Sequence, residues 1–304
     1  MRNKKNILIV GGTGFLGYHL CKYFIKLKYD VSSLSLSPPK KIRKLSKVKY
    51  FYEDVSKIKN ISFLEKKSFN YVINCGGYVD HVNVKKTYNS HFYGCKNLYK
   101  VFFKKKIQTF IQIGSSAEYG NKSSPQKETS KCKPLTIYGK SKLKATNFLF
   151  STLRKNKLPF IVLRFYQLYG PYQDINRFIS FAINSCISDK KFPCSEGKQY
   201  RDFLYIDDAV NAVKRSLGNK NAYGKIINIG YGKSIQLRKI IKIIKQKIKG
   251  GIPKFGEIPL RIDEPRIVFP DLSRSEKYLK WRPKISFKKG ILKTINFYKN
   301  NNSV

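Results

Sequence analysis

The sequence predicts an α/β fold: a doubly wound parallel sheet with a smaller, mostly C-terminal α+β unit. Three observations predict it. Short apolar runs alternate with amphipathic helical patterns over residues 1–170, and strands alternating with helices argue a parallel sheet covered on both faces. A glycine turn, Gly11, Gly14 and Gly17, stands directly between the first apolar run and the first helical pattern. After Gly170-Pro171 the pattern changes and the alternation loosens.

Residues 6–10 read as the first strand and residues 18–27 as the helix after the glycine turn. Further strands are expected at residues 31–36, 48–52, 71–74, 109–113 and 160–164, and helices at 91–105 and 141–154. The right-handed crossover rule leaves few ways to order such strands. Beyond Pro171, a helix is expected at 176–187, a strand at 203–206, a helix at 207–217 and a strand at 226–229. Ile235, Leu237, Ile240, Ile241, Ile243, Ile244 and Ile248 recur at helical spacing and place a helix at 234–248. The chain ends in a helix near 288–298.

The composition sets bounds. With 304 residues, 41% hydrophobic and 26% charged, the chain is globular. No apolar run approaches the roughly 20 residues of a membrane helix. The apolar stretch at residues 7–10 runs straight into glycines and is not a secretory signal. Lys and Arg total 62 against 18 Asp and Glu, a net +44, which invites a nucleic-acid reading. The lysines are spread along the whole chain, so the expectation is no specific nucleic-acid partner and a surface that favours anionic substrates. The six cysteines form no C-x-x-C pair, so no metal site is expected. A reducing cytoplasmic interior is the default.

The glycine turn has the physics of a dinucleotide site: a tight turn, close approach of backbone to a pyrophosphate, and an anion on the helix N-terminus. Gly11, Thr13, Gly14, Phe15, Leu16 and Gly17 form it. An NAD site usually carries an acid at the end of the second strand. Here that place falls on Ser35, followed by Lys40, Lys41 and Arg43. A small hydroxyl followed by cations suits a 2′-phosphate, so NADP is expected ahead of NAD, unless those cations belong to the general lysine excess. Asp54, after the third strand, would meet the adenine.

Tyr138 and Lys142 share a helix face one turn apart. A phenol is a poor base at neutral pH, and an ammonium alongside favours its phenolate. The pair can then serve as general acid or base at a carbinol or carbonyl. Upstream, Gly114-Ser115-Ser116-Ala117-Glu118-Tyr119-Gly120 closes the fifth strand, where a serine hydroxyl can reach the same oxygen.

On these residues the chain resembles an extended short-chain dehydrogenase/reductase of the nucleotide-sugar epimerase/dehydratase family. The likeness also covers Asn74-Cys75-Gly76-Gly77, Arg164 to Pro171, Arg201 to Asp208 and Asn228-Ile229-Gly230. It implies a Rossmann domain at 1–170 to which residues 201–232 return, and a substrate domain at 171–200 and 233–304. It implies a nicotinamide cofactor lined also by Val55, Cys75, Gly76, Gly77 and Tyr166, and a nucleoside-diphosphate sugar as substrate. The family's Tyr and Lys fall on Tyr138 and Lys142. Its Ser/Thr falls on Ser115 counted back from Tyr119, or on Ser116 counted from the serine pair. Arg201 matches an arginine that binds the substrate diphosphate, the plain alternative being a salt bridge to Asp202 or Asp207. Arg261 resembles a second such arginine, and Gln167 and Asn176 border the sugar.

Two positions depart from the family pattern: His91 stands where relatives usually show Asn, and Gln167 where they often have Asn. Dehydratases typically carry an Asp-Glu pair after the catalytic Thr, and Ser116-Ala117 lacks it. The missing second-strand acid points to NADPH. With the likeness of Gly170 to Arg177 to 6-deoxy-4-ketosugar reductases, it makes a 4-keto-6-deoxysugar reductase the first expectation. An NAD-dependent 4-epimerase is the alternative, and a non-catalytic, RNA-associated dinucleotide binder the remote one. A homodimer through residues 91–105 and 141–154 is the family expectation.

Overall fold

The structure is a computed structural model that describes residues 4–78, 83–153, 158–260 and 264–301. The first half builds β1 (Asn6–Val10), β2 (Asp30–Ser35), β3 (Val48–Tyr52), β4 (Tyr71–Asn74), β5 (Thr109–Ser115) and β6 (Phe160–Phe165). Between them run α1 (Phe15–Lys26), the short α2 (Ile58–Ile61), α3 (Val84–Tyr88), α4 (Gly94–Phe102) and α5 (Ile137–Ser151). A π-helical turn, Asn89–Tyr93, joins α3 to α4, so the helix expected from residue 91 starts at Val84. α5 starts at Ile137, ahead of the expected 141, because Thr136 caps it by accepting from the Gly139 amide at 3.1 Å.

Alternation along each strand divides its side chains between two faces. Ile7 and Ile9 pack with Leu20, Cys21 and Phe24 of α1, while Leu8 and Val10 pack with Leu98 and Phe102 of α4 and Leu149 of α5. With both faces buried, central strands such as β1, β4 and β6 read as near-continuous apolar runs rather than as alternating ones.

The second half adds β7 (Gln167–Tyr169), α6 (Phe178–Ile187), β8 (Lys191–Cys194), β9 (Tyr200–Tyr205), α7 (Ile206–Ser216) and β10 (Lys225–Ile229). It ends with β11 (Ser234–Gln236), α8 (Leu237–Ile248), β12 (Ile252–Phe255), β13 (Ile267–Val268), α9 (Ser273–Leu279) and α10 (Phe287–Asn300). The large sheet has seven parallel strands in the order β10-β6-β5-β4-β1-β2-β3. This is a Rossmann arrangement. Strand order reverses between β1 and β4, and ligands of open parallel sheets bind beyond the carboxyl ends at such a switch point. A smaller sheet centres on β9, which pairs with β7, β11 and β13. Residues 234–236, expected to open a helix, pair instead with β9. The strands β7, β8, β12 and β13 and the helix α9 were not anticipated; each is too short to carry a readable period. Among the described residues no helix is long and apolar enough to cross a membrane.

Candidate active site

The switch point is built from glycine backbone. Gly11 adopts φ +80°, and a Cβ there would stand 2.7 Å from the Gly76 Cα. A Cβ on Gly17 would stand 2.0 Å from the Gly11 carbonyl oxygen. The turns after β1 and β4 therefore touch main chain to main chain, and only glycine permits it. Gly14 caps α1 in extended conformation with no side-chain hydrogen bond, so the first-turn amides of α1 are left for an anion. Thr13, Phe15 and Leu16 follow this backbone. The Cys75 amide and thiol both donate to the Val10 carbonyl, at 3.0 and 2.9 Å. Asn97 of α4 donates to the Val55 and Ser56 carbonyls at 3.2 and 2.7 Å, and Asp54 accepts from the Ser56 amide at 2.9 Å. This fixes the segment after β3. The cradle fits a dinucleotide pyrophosphate.

Two of the three cations after β2, Lys40 and Arg43, are engaged elsewhere. Ser35 accepts from the Thr13 amide at 3.3 Å. Lys40 pairs with Asp174 at 2.8 Å, and Arg43, buried, pairs with the same carboxylate at 3.1 Å while donating to the Tyr172 carbonyl. Burial opposes ionisation of Asp174, but Lys40 and Arg43 outweigh it and hold the carboxyl below its ordinary range. The expectation that these cations await a 2′-phosphate missed Asp174, far along the chain in sequence.

Ser115 ends β5 and caps the short turn Ser116–Glu118: its hydroxyl accepts from the Ala117 amide at 3.2 Å, and its own amide donates to Glu118 at 2.9 Å. Ser116 lies inside that turn. Glu118 is fully buried and also accepts from Thr146 and Arg164, each at 2.9 Å. It is a brace under the serine, closed to substrate. Tyr138 lies in the first turn of α5. Lys142, almost fully buried, donates to the Ile113 carbonyl at 2.7 Å, with its Nζ 5.9 Å from the centre of the Tyr138 ring. His91 meets the Tyr138 ring edge to face at 5.0 Å. Burial first, and the Lys142 charge second, hold its imidazole neutral, well below the usual histidine range.

On the facing side, Arg201 of β9 pairs with Glu264 at 2.5 Å and donates to the Tyr200 and Arg266 carbonyls. Its carboxylate partner is therefore Glu264, not Asp202 or Asp207. Asp202 instead accepts from the Tyr231 and Gly232 amides at 2.7 and 2.6 Å, and burial pushes its carboxyl up to about 7. Gln167 on β7 and Asn176 before α6 are exposed. The Tyr166 hydroxyl donates to Gln126 at 2.8 Å, within a buried network in which Asn228 accepts from Tyr119 and bonds to Gln126 and Glu128. Arg261 lies outside the described residues.

The NAD dependent epimerase/dehydratase family profile matches residues 7–230. The chain belongs to that family. A putative UDP-glucose 4-epimerase of Methanocaldococcus jannaschii is 29% identical, covering 97% of this chain and 99% of that protein. The UDP-glucose 4-epimerase of Thermotoga maritima, solved with UDP-glucose, superposes with a TM-score of 0.92 at 22% identity, over 98% of this chain and 100% of the other. The UDP-glucuronic acid 4-epimerase of Bacillus cereus, solved with UDP-glucuronic acid and NAD, reaches 0.88 at 24% identity, over 97% and 99%. At these identities the structures establish the shared fold.

Proposed function

We propose that the protein is an NAD-dependent 4-epimerase of a UDP-sugar. The observation that carries the reading is that Ser115 ends β5 while Lys142 of α5, one turn after Tyr138, donates to the Ile113 carbonyl of the same strand. The relatives support the substrate class: one is named a putative UDP-glucose 4-epimerase, and the two solved structures are 4-epimerases of UDP-glucose and of UDP-glucuronic acid. The expectation of a reductase rested on the missing acid after the second strand and on the likeness of Gly170 to Arg177 to such reductases, with the cations after β2 as support for NADP. With Lys40 and Arg43 bound to Asp174, the support from the cations weakens, and the NAD-bound 4-epimerase named above favours NAD. The lobe at 171–200 and 233–304 would carry the nucleotide sugar, with Arg201, Gln167, Asn176 and Arg261 around it. A homodimer through residues 91–105 and 141–154 remains part of this proposal.

Bound NAD would accept and return hydride at the sugar C4. Tyr138 takes the proton from the C4 hydroxyl as that carbon is oxidised and gives it back on reduction. Lys142, anchored on the Ile113 carbonyl, keeps a positive charge one turn from the phenol, where negative charge develops as the proton leaves. Ser115 donates its hydroxyl to the same substrate oxygen. The Glu118 turn keeps that hydroxyl at the strand end.

Incubation with UDP-glucose and with UDP-glucuronic acid, followed by NMR of the anomeric protons, should show the 4-epimer of one of them. NAD should be released on denaturation. NADPH-dependent consumption of a UDP-4-keto-6-deoxysugar, with no epimer formed, would return the reading to a reductase. The cofactor choice has its own test. Asp174→Ala removes the carboxylate partner of Lys40 and Arg43, leaving Arg43 on the Tyr172 carbonyl, and NADP should then bind about tenfold tighter relative to NAD, in keeping with a charge-assisted contact of roughly 1.5 kcal/mol. Titration of both nucleotides into both proteins checks it, and an unchanged ratio would show that these cations do not face the ribose.

A further inference from the structure

The π-helical turn Asn89–Tyr93 holds a residue that the proposed mechanism does not use. A wide turn of this kind changes which residues face inward, and such turns recur at functional sites. Here it presents two consecutive side chains to the amide and the carbonyl of one residue, Tyr78. The Tyr78 amide donates to the Ser90 hydroxyl at 2.9 Å, and the Tyr78 carbonyl lies 3.2 Å from His91 Nε2. A carbonyl can only accept, so Nε2 carries the hydrogen and Nδ1 is the bare nitrogen of a neutral ring. Nδ1 is buried and has no partner among the described residues. The Nδ1–Cε1 edge lies on Gly77, where a Cβ would stand 1.8 Å from Cε1. The ring also meets Tyr138 edge to face. His91 thus touches both the turn after β4, which closes the cofactor cradle against Gly11, and the phenol of α5.

We propose that the π turn is a coupling device and that His91 is a positioning residue: it braces the Tyr138 ring against the Gly77–Tyr78 turn, so that the acid–base group and the cofactor cradle keep one register. Ser90 holds the amide side of Tyr78, and His91 holds its carbonyl side and the phenol together. The titratable groups facing the imidazole are Tyr138 and Lys142, both from α5. The neutral ring therefore adds no second cation beside Lys142. The kinetic part of this assignment rests on the epimerase reading; the binding part does not.

Two variants separate the parts without overfilling the site. His91→Gln, whose amide nitrogen extends to the place of Nε2, keeps a donor for the Tyr78 carbonyl but removes the ring from Tyr138. It should lower kcat at least about tenfold, the scale of a small misplacement of a catalytic group, with the NAD dissociation constant changed less than about twofold. Ser90→Ala releases the amide side of the turn and leaves the ring in place. It should raise the NAD dissociation constant about fivefold, the scale of one lost hydrogen bond, with a smaller loss of kcat at saturating NAD than His91→Gln shows. Wild-type kcat in His91→Gln, or equal losses of kcat, NAD affinity and melting temperature in both variants, would overturn the coupling role and leave only packing. A wild-type protein that epimerises neither sugar would overturn the epimerase reading instead. The contrast in NAD affinity between the two variants then still decides whether the turn is gripped as described.

Discussion

Tyr138→Phe should lower kcat at least about a hundredfold, the usual worth of a general acid–base group, while NAD binding and melting temperature stay near those of the wild type. The ring of Tyr138 meets His91, and Lys142 sits one turn on, held by the Ile113 carbonyl. Phenylalanine keeps the ring contact and removes only the hydroxyl. The pocket and the cofactor cradle should therefore survive, and the loss should fall on kcat. Steady-state kinetics on the UDP-sugar that proves to be the substrate, beside NAD content after denaturation, checks both halves. Turnover within a few-fold of wild type would remove Tyr138 from the mechanism. A large loss accompanied by loss of NAD would make it a binding residue.

The large sheet was legible in the sequence because its central strands are buried on both faces and its turns carry glycine where no other residue fits. The strands at Val48–Tyr52 and Tyr71–Asn74 fall where the apolar runs place them, and Gly11 and Gly17 stand at the tight turn that the glycine spacing implies. The set Ser115, Tyr138 and Lys142 was legible for the same reason: each sits at a strand end or one turn apart on a helix, where local spacing predicts geometry. What local spacing cannot carry is pairing across long stretches of chain. Asp174 neutralises Lys40 and Arg43, and Glu264 occupies Arg201. Both pairs were invisible in sequence, and the first of them bears on the cofactor. His91 was legible as a departure from the family pattern, but its reach to Tyr78 depends on a π turn, and no apolar period announces one. Glu118, placed by the sequence in the segment that closes the fifth strand, is tied to Arg164, which no local spacing reveals.

That pair carries the other large effect. Glu118→Ala should destabilise the protein by about 3–5 kcal/mol, the cost of leaving one member of a buried ion pair alone, and lower the melting temperature by about 6–10 °C at this size. Arg164 is almost wholly buried, with its guanidinium 4.6 Å from the centre of the Tyr119 ring and 2.8 Å from Glu118. Burial alone would disfavour its charge, but Glu118 raises its affinity for the proton above that of a free arginine. Removing the carboxylate leaves a buried cation whose lost hydration the Tyr119 ring offsets only in part. Thr146→Val removes a single neutral donor to the same carboxylate and should cost only about 1 kcal/mol. Thermal unfolding of both variants ranks the two effects, and equal shifts would mean that the pair contributes no more than an ordinary hydrogen bond. Stability and catalysis can also be separated here. The double variant Glu118→Val with Arg164→Met removes both charges, and buried pairs replaced by apolar residues of similar volume commonly regain stability. Its fold should recover most of the loss. Its kcat should not, because the Ser115 amide still lacks the carboxylate that holds the turn at the end of β5. Recovery of kcat together with stability would show that the strand alone positions the serine.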